Sequence, residues 1–149
     1  MKISKKCQYA VRAVFELAFR NANQPVRISE IAVSQGIPRR FLEVIMNQLK
    51  HAGFVESRRG NTGGYILARS AGELTVGEII EFMEGPISIV GNNGNRANGN
   101  ASMLGDLAFE HFWETVDRAV SDVFHNMSIR ELVESERVRK SRFVPNYSI

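Results

Sequence analysis

Two helical patterns separated by only about three residues constrain the fold of this chain more than any other feature. Apolar spacing over residues 28–36 predicts a short helix that begins with Ser29 as its N-cap and ends at Gly36. Pro38 then starts a longer helix, because its fixed φ suits a first helical position. The apolar stripe of that helix is Leu42, Ile45, Leu49 and Ala52. Two helices joined by such a tight turn are typical of a helix-turn-helix.

The next segment predicts a β-hairpin. The β-patterned runs FVESRR and YILAR are joined by GNTGG, and Arg58 and Arg59 lie at the predicted tip. A helix-turn-helix followed by a hairpin is a winged helix. The wing glycines permit positive φ and close backbone approach to a phosphate, although a plain hairpin turn would also explain them. A nucleotide-binding phosphate loop is excluded, because no Lys-Ser or Lys-Thr follows the glycines.

Charge divides the chain into two unequal halves. Residues 1–69 hold twelve basic and four acidic side chains, a net +8, whereas residues 70–149 hold seven basic and twelve acidic ones, a net −5. A compact basic region favours a polyanion, because each phosphate that it neutralises releases condensed counterions. A solvated basic surface is the alternative.

The remaining helices follow from apolar spacing and caps. Residues 9–22 predict a first amphipathic helix, and Thr75 with Glu78 predicts a capping box for a helix that ends at Gly85. The Asn- and Gly-rich run 91–105 predicts a loop. An apolar stripe then follows a long helix through Phe109, Phe112, Trp113, Val116, Val120, Val123 and Met127. A two-fold partner would bury that stripe, and packing against its own domain is the alternative.

Ser128 with Glu131 predicts a second capping box and a short final helix through Val133. The expected fold class is mainly α with a small β-hairpin wing: a winged helix-turn-helix domain plus a long dimerisation helix. We divide the chain into the winged domain at 1–86, a flexible loop at 87–105, the dimerisation and short final helices at 106–136, and a poorly ordered tail at 137–149.

Composition excludes several other classes. The chain has 149 residues, is 44% hydrophobic and 23% charged, and therefore can bury a core. Its N-terminus lacks the apolar block of a signal peptide, and no apolar run reaches the length of a membrane span, so we expect a cytoplasmic protein with no membrane partner. An enzyme is disfavoured, because no nucleophile with a base and no phosphate loop is found. A protein-interaction adaptor is another alternative. It would bind a helix of another protein through the Trp113 stripe and would not use the basic face.

Motifs in order along about 130 residues resemble the Rrf2 family of bacterial transcription regulators, which includes the IscR, NsrR and CymR types. The matching stretches are YAVR at 9–12, ISEIA at 28–32, RFLE at 40–43, RRGxxGGYxLA at 58–68, TVxEI at 75–79, EGP at 84–86, Trp113 and SIREL at 128–132, where x marks a position that does not take part in the match. The resemblance implies a homodimeric winged-helix repressor or activator that binds an imperfect palindrome in double-stranded DNA. It also implies that the helix after Pro38 enters the major groove, that the wing reaches the minor groove and that the Trp113 helix forms the dimer.

Side-chain chemistry agrees with these roles. Arg39 or Arg40 can pair with a guanine edge, Glu43 can accept from a cytosine amine, and lysines suit phosphates. Phe41 either is partly buried or contacts a thymine methyl, and Tyr9 is expected in the core. The predicted DNA contacts are Lys5, Ser29, Arg39, Arg40, Phe41, Glu43, Asn47, Lys50, Arg58, Arg59, Gly60, Gly63 and Gly64. The predicted dimer contacts are Leu107, Phe109, Phe112, Trp113, Val116, Val120 and Val123.

The sequence departs from the resemblance at the cofactor. Many members hold an iron–sulfur cluster with three cysteines between the EGP motif and the Trp helix. This chain has no cysteine there: Leu107 stands about where the last cysteine would lie, and Ala97 and Ala101 fall in the span of the other two. Because clusters are held mainly by thiolates, we expect no cofactor and no metal. An atypical or replaced ligand set, or a thiol switch at Cys7, is the alternative. The signal would then be a small molecule or partner protein that acts on the loop.

Overall fold

The computed structural model describes residues 1–20, 24–90 and 103–142. Its elements are α1 (Lys5–Arg20), α2 (Ile28–Gln35), α3 (Arg39–His51), β1 (Val55–Arg58), β2 (Gly64–Leu67), α4 (Val76–Glu84), α5 (Asp106–Asn126) and α6 (Ile129–Arg142). This is the expected mainly helical fold with one hairpin. Residues 91–102 of the predicted loop and 143–149 of the predicted tail lie outside the described residues.

Helix α1 lies at the centre of the fold. It packs against α2, α3, α4, α6 and strand β2. Its buried face consists largely of small or medium side chains, among them Ala10, Ala13 and Val14, which are fully buried. Short side chains let the neighbouring helices approach closely and share one core. The residues that complete this core from the rest of the chain are Val26, Ile31, Ala32, Ile37, Leu42, Ile45, Met46, Leu49, Phe54, Val55, Leu74, Ile79, Ile129 and Val133.

Helix α1 begins at Lys5, four residues before the start expected from its apolar spacing. The Ser4 hydroxyl accepts a hydrogen bond from the Cys7 backbone N–H at 3.1 Å, and the Ser4 carbonyl accepts from Gln8 at 3.0 Å. Ser4 is therefore the N-cap, and it adds the first turn that apolar periodicity does not reveal.

Helix α2 begins at Ile28, so the prediction of Ser29 as its N-cap is wrong. The cap residue is Arg27, whose backbone N–H donates to the Glu30 carboxylate at 2.9 Å. The helix begins here because the preceding residue is already fixed: Val26 and Tyr65 exchange two backbone hydrogen bonds of 2.9 and 2.8 Å. This bridge joins the start of α2 to strand β2 of the hairpin.

Helix α3 begins one residue after Pro38, which occupies the cap position, and ends before Gly53 as expected. The hairpin follows at once, because the Phe54 N–H donates to the Leu49 carbonyl at 3.0 Å. Strands β1 and β2 pair antiparallel, from Val55 opposite Leu67 to Arg58 opposite Gly64. The wing therefore projects directly from the C-terminal end of α3.

Both predicted capping boxes are present. Glu78 and Glu131 each accept from the backbone N–H of their cap residue, Thr75 and Ser128, at 2.9 and 2.8 Å. The two caps also form a β-bridge with each other, which brings α6 back onto the core beside α4.

The final helix is longer than predicted, because α6 runs to Arg142 rather than ending near Val133. The expectation of a poorly ordered tail is therefore wrong for residues 137–142. Contacts with α1 account for the extra turns. Arg137 donates to the Phe19 carbonyl at 3.2 Å, and the Arg137 and Lys140 cations lie 5.5 and 5.3 Å from the Phe19 ring centroid.

We predict that Gly64→Ala destabilises the fold by about 1–3 kcal/mol. A Cβ at Gly64 would overlap the Val26 carbonyl and break the bridge between the hairpin and α2. The free energy of unfolding in urea measures the loss. Gly60→Ala is the control, since Gly60 also has a positive φ, of 111°, but nothing within 4 Å of an added Cβ. Equal losses in the two variants would contradict the overlap.

Candidate nucleic-acid interface

One face of α3 is buried and the opposite face is exposed. Leu42, Ile45, Met46 and Leu49 fill the core. Because a helix repeats every 3.6 residues, this packing fixes which side chains face outward. The exposed set is Arg39, Arg40, Phe41, Glu43, Val44, Asn47, Lys50 and His51. The structure therefore places six predicted DNA contacts on one helix surface and adds Val44 and His51.

The charged groups of this surface interact with each other only at its edge. Arg39 Nε lies 3.2 Å from Glu43 Oε1, one helical turn away, and both side chains are more than half exposed. An exposed pair of this kind stabilises the helix by only a few tenths of a kcal/mol, roughly 0.3–0.5. Water or an external hydrogen-bonding group can therefore replace it at little cost.

Two apolar side chains lie exposed on the α3 surface. Phe41 is 49% exposed and Val44 is 55% exposed, and they are three residues apart on one side of the helix. The Arg40 guanidinium lies 5.0 Å from the centroid of the Phe41 ring. Sequence reasoning left Phe41 between two roles and missed Val44. Val44 lies one helical turn after Phe41 and outside the buried stripe, and this spacing is the sequence feature that indicates its exposure.

The wing presents Arg58 and Arg59 as exposed side chains. Arg58 is the last residue of β1 and lies 3.3 Å from the Glu56 carboxylate, whereas Arg59 lies in the turn beyond the strand. A further arginine, Arg27 at the start of α2, donates to the Asn61 carbonyl at 2.8 Å. Arg27 therefore ties the tip of the wing to the helix-turn-helix, a role that its isolated position in the sequence does not reveal.

The wing glycines have different structural roles. A Cβ at Gly63 or Gly64 would collide with backbone atoms, of Arg58 and Gly60 in the first case and of Val26 in the second. The chain's own packing therefore requires these two glycines. Gly60 has a φ of 111° and open space around it. It is the wing glycine at which a phosphate could approach the backbone closely.

Two predicted contacts lie away from the exposed face of α3 and the wing tip. Ser29 is exposed in the first turn of α2. Lys5 is exposed at the first residue of α1, next to Ser4, whose hydroxyl and backbone N–H both donate to Glu84 at the end of α4. The structure thus places Lys5 where α1 meets α4.

Helix α5 carries a second candidate surface. None of its residues is buried in the described chain. Val116 and Val120 are half-buried, and the rings of Phe112 and Trp113 lie 5.0 Å apart. The exposed apolar members are Leu107 at 78%, Phe109 at 64%, Phe112 at 53%, Trp113 at 40% and Val123 at 64%. The seven predicted dimer contacts therefore follow one helix that its own chain leaves largely uncovered.

The second half of α5 is anchored to the winged domain through polar contacts. His125 Nε2 lies 3.3 Å from Glu81 on α4, and its ring lies over Gly77, where a Cβ would meet it at 2.7 Å. The hydrogen bond to the Ser121 carbonyl, helped by Glu81, raises the pKa of His125. Asp117 accepts from the Ile89 N–H at 2.6 Å. These contacts fix the direction in which α5 leaves the winged domain.

The one cysteine does not fit a cluster ligand. Cys7 is fully buried on α1, and burial, with Glu84 as a second cause, raises the pKa of its thiol to about 11. The chain contains no other thiol. Among the described residues, no group of three His, Cys, Asp or Glu side chains is arranged to hold a metal. The cationic neighbours proposed to activate Cys7 do not lower its pKa, so neither the burial nor the pKa of this thiol supports the thiol-switch alternative.

Solved structures confirm the winged-helix class. The structure of CymR, the global cysteine regulator of B. subtilis, superposes with a TM-score of 0.76 at 30% identity, covering 91% of this chain and 98% of that one. T. potens IscR superposes with a TM-score of 0.75 at 29% identity, covering 99% and 95%. In the parts of the chain that the structure describes, no helix is long and apolar enough to cross a membrane.

The family model for Rrf2, described as an iron-dependent transcriptional regulator, matches residues 3–135. The HTH-type transcriptional regulator IscR of Pectobacterium atrosepticum is 31% identical over 140 residues, covering 93% of this chain and 82% of that protein. The chain therefore belongs to the Rrf2 family and is a DNA-binding transcriptional regulator. Its relatives are regulators and not enzymes.

We predict that the native Cys7 thiol does not react with a disulfide reagent at about pH 8, because it is buried and protonated. In guanidinium it should react fully, since an unfolded thiol has a pKa of about 8.5. The release of chromophore measures both reactions, and Cys7→Ser gives the background. Rapid stoichiometric reaction of the native protein would contradict the assignment.

Proposed function

We propose that this protein binds a palindromic operator as a homodimer and represses transcription without an iron–sulfur cluster. The observation that carries this proposal is the joint exposure of two surfaces: the polar and apolar face of α3 beside the arginine-bearing wing, and the apolar face of α5. The first suits a DNA duplex and the second suits another copy of the same helix.

The chemistry of α3 supports its insertion into the major groove. Arg40 can donate two hydrogen bonds to a guanine edge, and Asn47 can pair in the same way with adenine. Glu43 can accept from cytosine once Arg39 releases it, and Lys50 in the last turn suits a phosphate. Phe41 and Val44 offer apolar contact to thymine methyl groups. The predicted half-site is therefore mixed in sequence and contains at least one thymine.

The wing supports a contact in the adjacent minor groove. It projects from the end of α3 and is tied to the start of α2 by Arg27 and by the Val26–Tyr65 bridge. These links hold the tip rigidly with respect to α3. Arg59 in the turn has the charge and length to enter a narrow minor groove, where the negative potential is strongest. Arg58, paired with Glu56, suits the neighbouring phosphates, and Gly60 lets the backbone approach them.

The exposed stripe of α5 supports the homodimer. Isolated apolar side chains are normal on a surface, but a continuous stripe of aromatic and aliphatic groups marks an interaction site. A second copy of α5 would cover it by isologous contact, in which the same residues face each other across a two-fold axis. The two α3 helices would then be a fixed distance apart, as a palindrome requires.

For such a molecule, repression is a simpler effect on transcription than activation. The described residues form a winged-helix domain, a long helix with an exposed apolar stripe and a closing helix, with no additional domain among them to recruit a polymerase. A dimer bound across its operator would act by excluding other proteins from that DNA. Because Cys7 is buried and no other thiol is present, we propose that a small molecule or partner protein, instead of a cluster, supplies the signal.

We predict that Arg59→Ala weakens operator binding about tenfold or more through loss of the minor-groove contact. Fluorescence anisotropy with a duplex from the region upstream of the protein's own gene measures the dissociation constant. Arg118→Ala, which removes a charge from α5, is the matched control and should bind normally. Unchanged affinity of Arg59→Ala would remove the wing from the mechanism.

Thymine recognition by Phe41 and Val44 has a direct test. Replacing thymine by deoxyuridine removes only the C5 methyl group, so we expect the wild-type protein to lose about fivefold in affinity at the contacted half-site positions. Val44→Ala and Phe41→Ala should each reduce this discrimination, and the double variant should bind the thymine and deoxyuridine operators almost equally, because the methyl groups have lost both partners. If Val44→Ala retained the wild-type discrimination and Phe41→Ala did too, apolar readout by α3 would be ruled out.

The homodimer is tested by placing a charge on the α5 stripe. We predict that Phe112→Asp converts a dimer of 16.7 kDa chains to monomers in sedimentation velocity, because it would bury a carboxylate against apolar groups. Arg118→Asp also places a carboxylate on α5, on the side of the helix away from the aromatic stripe, and should stay dimeric. A wild-type monomer at micromolar concentration would overturn the homodimer.

A further inference from the structure

A cavity of about 660 Å³ lies behind the wing, where the end of α1, strand β2 and helix α6 meet. Its volume falls in the range of small-molecule sites, about 300–1,000 Å³. Residues from all three elements and from the segment before α2 line it. The residues that matter for the argument are Leu17, Val26, Tyr65, Arg130, Val133 and Arg137.

Among the described residues, two guanidinium groups of the cavity form no ion pair with a carboxylate. Arg130 donates to the Ser70 hydroxyl at 3.0 Å, and Arg137 donates to the Phe19 carbonyl at 3.2 Å. All sixteen acidic side chains of the sequence lie in the described residues, and none of them forms an ion pair within 4.0 Å of either arginine. Arg69, which also lines the cavity, differs, because it is paired with Glu78 at 2.9 Å.

The neutral contacts position Arg130 and Arg137 without neutralising them. A guanidinium has five N–H donors, so each arginine keeps donors for a ligand. The two arginines are seven residues apart on α6, which places them two turns apart on one face of the helix. Glu134 lies between the two arginines in the chain and also lines the cavity. Its one negative charge leaves the lining with a net positive charge from Arg130 and Arg137.

The cavity also has an apolar part. Leu17 and Val133 are each about 5% exposed or less, and Val26 is 5% exposed, so their side chains form a packed floor. A floor of this kind favours a ligand with a short hydrocarbon body, and the two guanidinium groups favour a planar anionic group that accepts paired hydrogen bonds. A small carboxylate combines both features.

We propose that this cavity binds a small organic carboxylate and that the bound ligand changes operator affinity through the wing. The cavity is directly connected to the wing, because Val26 and Tyr65 line the cavity and also form the bridge between the start of α2 and strand β2. A ligand seated there contacts both partners of the bridge that sets the position of the wing. The effect on DNA rests on the proposed function, whereas ligand binding itself does not.

The test is a titration of the full-length protein, followed by ¹H–¹⁵N NMR, with butyrate, benzoate and succinate to about 10 mM. We expect at least one of them to shift the amides of Tyr65, Ser70 and Val133 and to saturate. Arg130→Gln and Arg137→Gln should each weaken that binding about tenfold, through loss of a charge-assisted hydrogen bond. Arg139→Gln on the same helix is the matched control, and butyramide is the uncharged ligand control.

A second measurement follows operator affinity by anisotropy with and without the ligand that saturates. We expect a change of at least about threefold that Arg130→Gln abolishes. The proposal is overturned if no carboxylate saturates, if Arg130→Gln and Arg137→Gln bind like the wild type, or if a saturating ligand leaves operator affinity unchanged. Operator binding without ligand tests the proposed function separately, so the two can fail independently.

Discussion

Every other helix of the winged domain, the hairpin and α6 pack against α1. The small buried side chains Ala10 and Ala13 let the other helices and the hairpin close around one central helix. Because Leu42 and Leu49 must enter that core, the opposite face of α3 has to face outward. The same core takes in Ile129 from α6, and this closure leaves α5 outside with its apolar stripe uncovered. Burial in one place thus determines both surfaces that a DNA-binding dimer needs.

Sequence patterns predicted the fold class, the order of the elements and both capping boxes, because these depend on local spacing and local hydrogen bonds. They failed where a distant contact decides an element boundary. Ser29 has the chemistry of an N-cap, yet α2 begins before it because Val26 is fixed by Tyr65 across the hairpin. Helix α6 extends beyond the residues that its apolar pattern predicts, because Arg137 donates a hydrogen bond to the carbonyl of Phe19, 118 residues distant in the chain.

The candidate site was predicted in the same uneven way. Side chains on α3 could be placed from the helical period, and the apolar stripe of α5 could be read directly. Individual roles in the wing could not, because Gly64 is required by contact with Val26 and Arg27 acts by binding Asn61. The cavity behind the wing was invisible to sequence reasoning, since its arginines belong to α6 and its floor to α1 and to the segment before α2. The DNA contacts themselves stay predictions.

We propose that this Rrf2-family chain recognises its operator as a dimer with no cluster. The most direct measurement is the visible absorption spectrum of anaerobically purified protein, taken on the sample that is then titrated with its upstream DNA before and after treatment with an iron chelator. Our account predicts a colourless protein that binds a palindromic site as two chains per duplex, with the same affinity after chelation. A coloured protein that loses operator binding when iron is removed would contradict it.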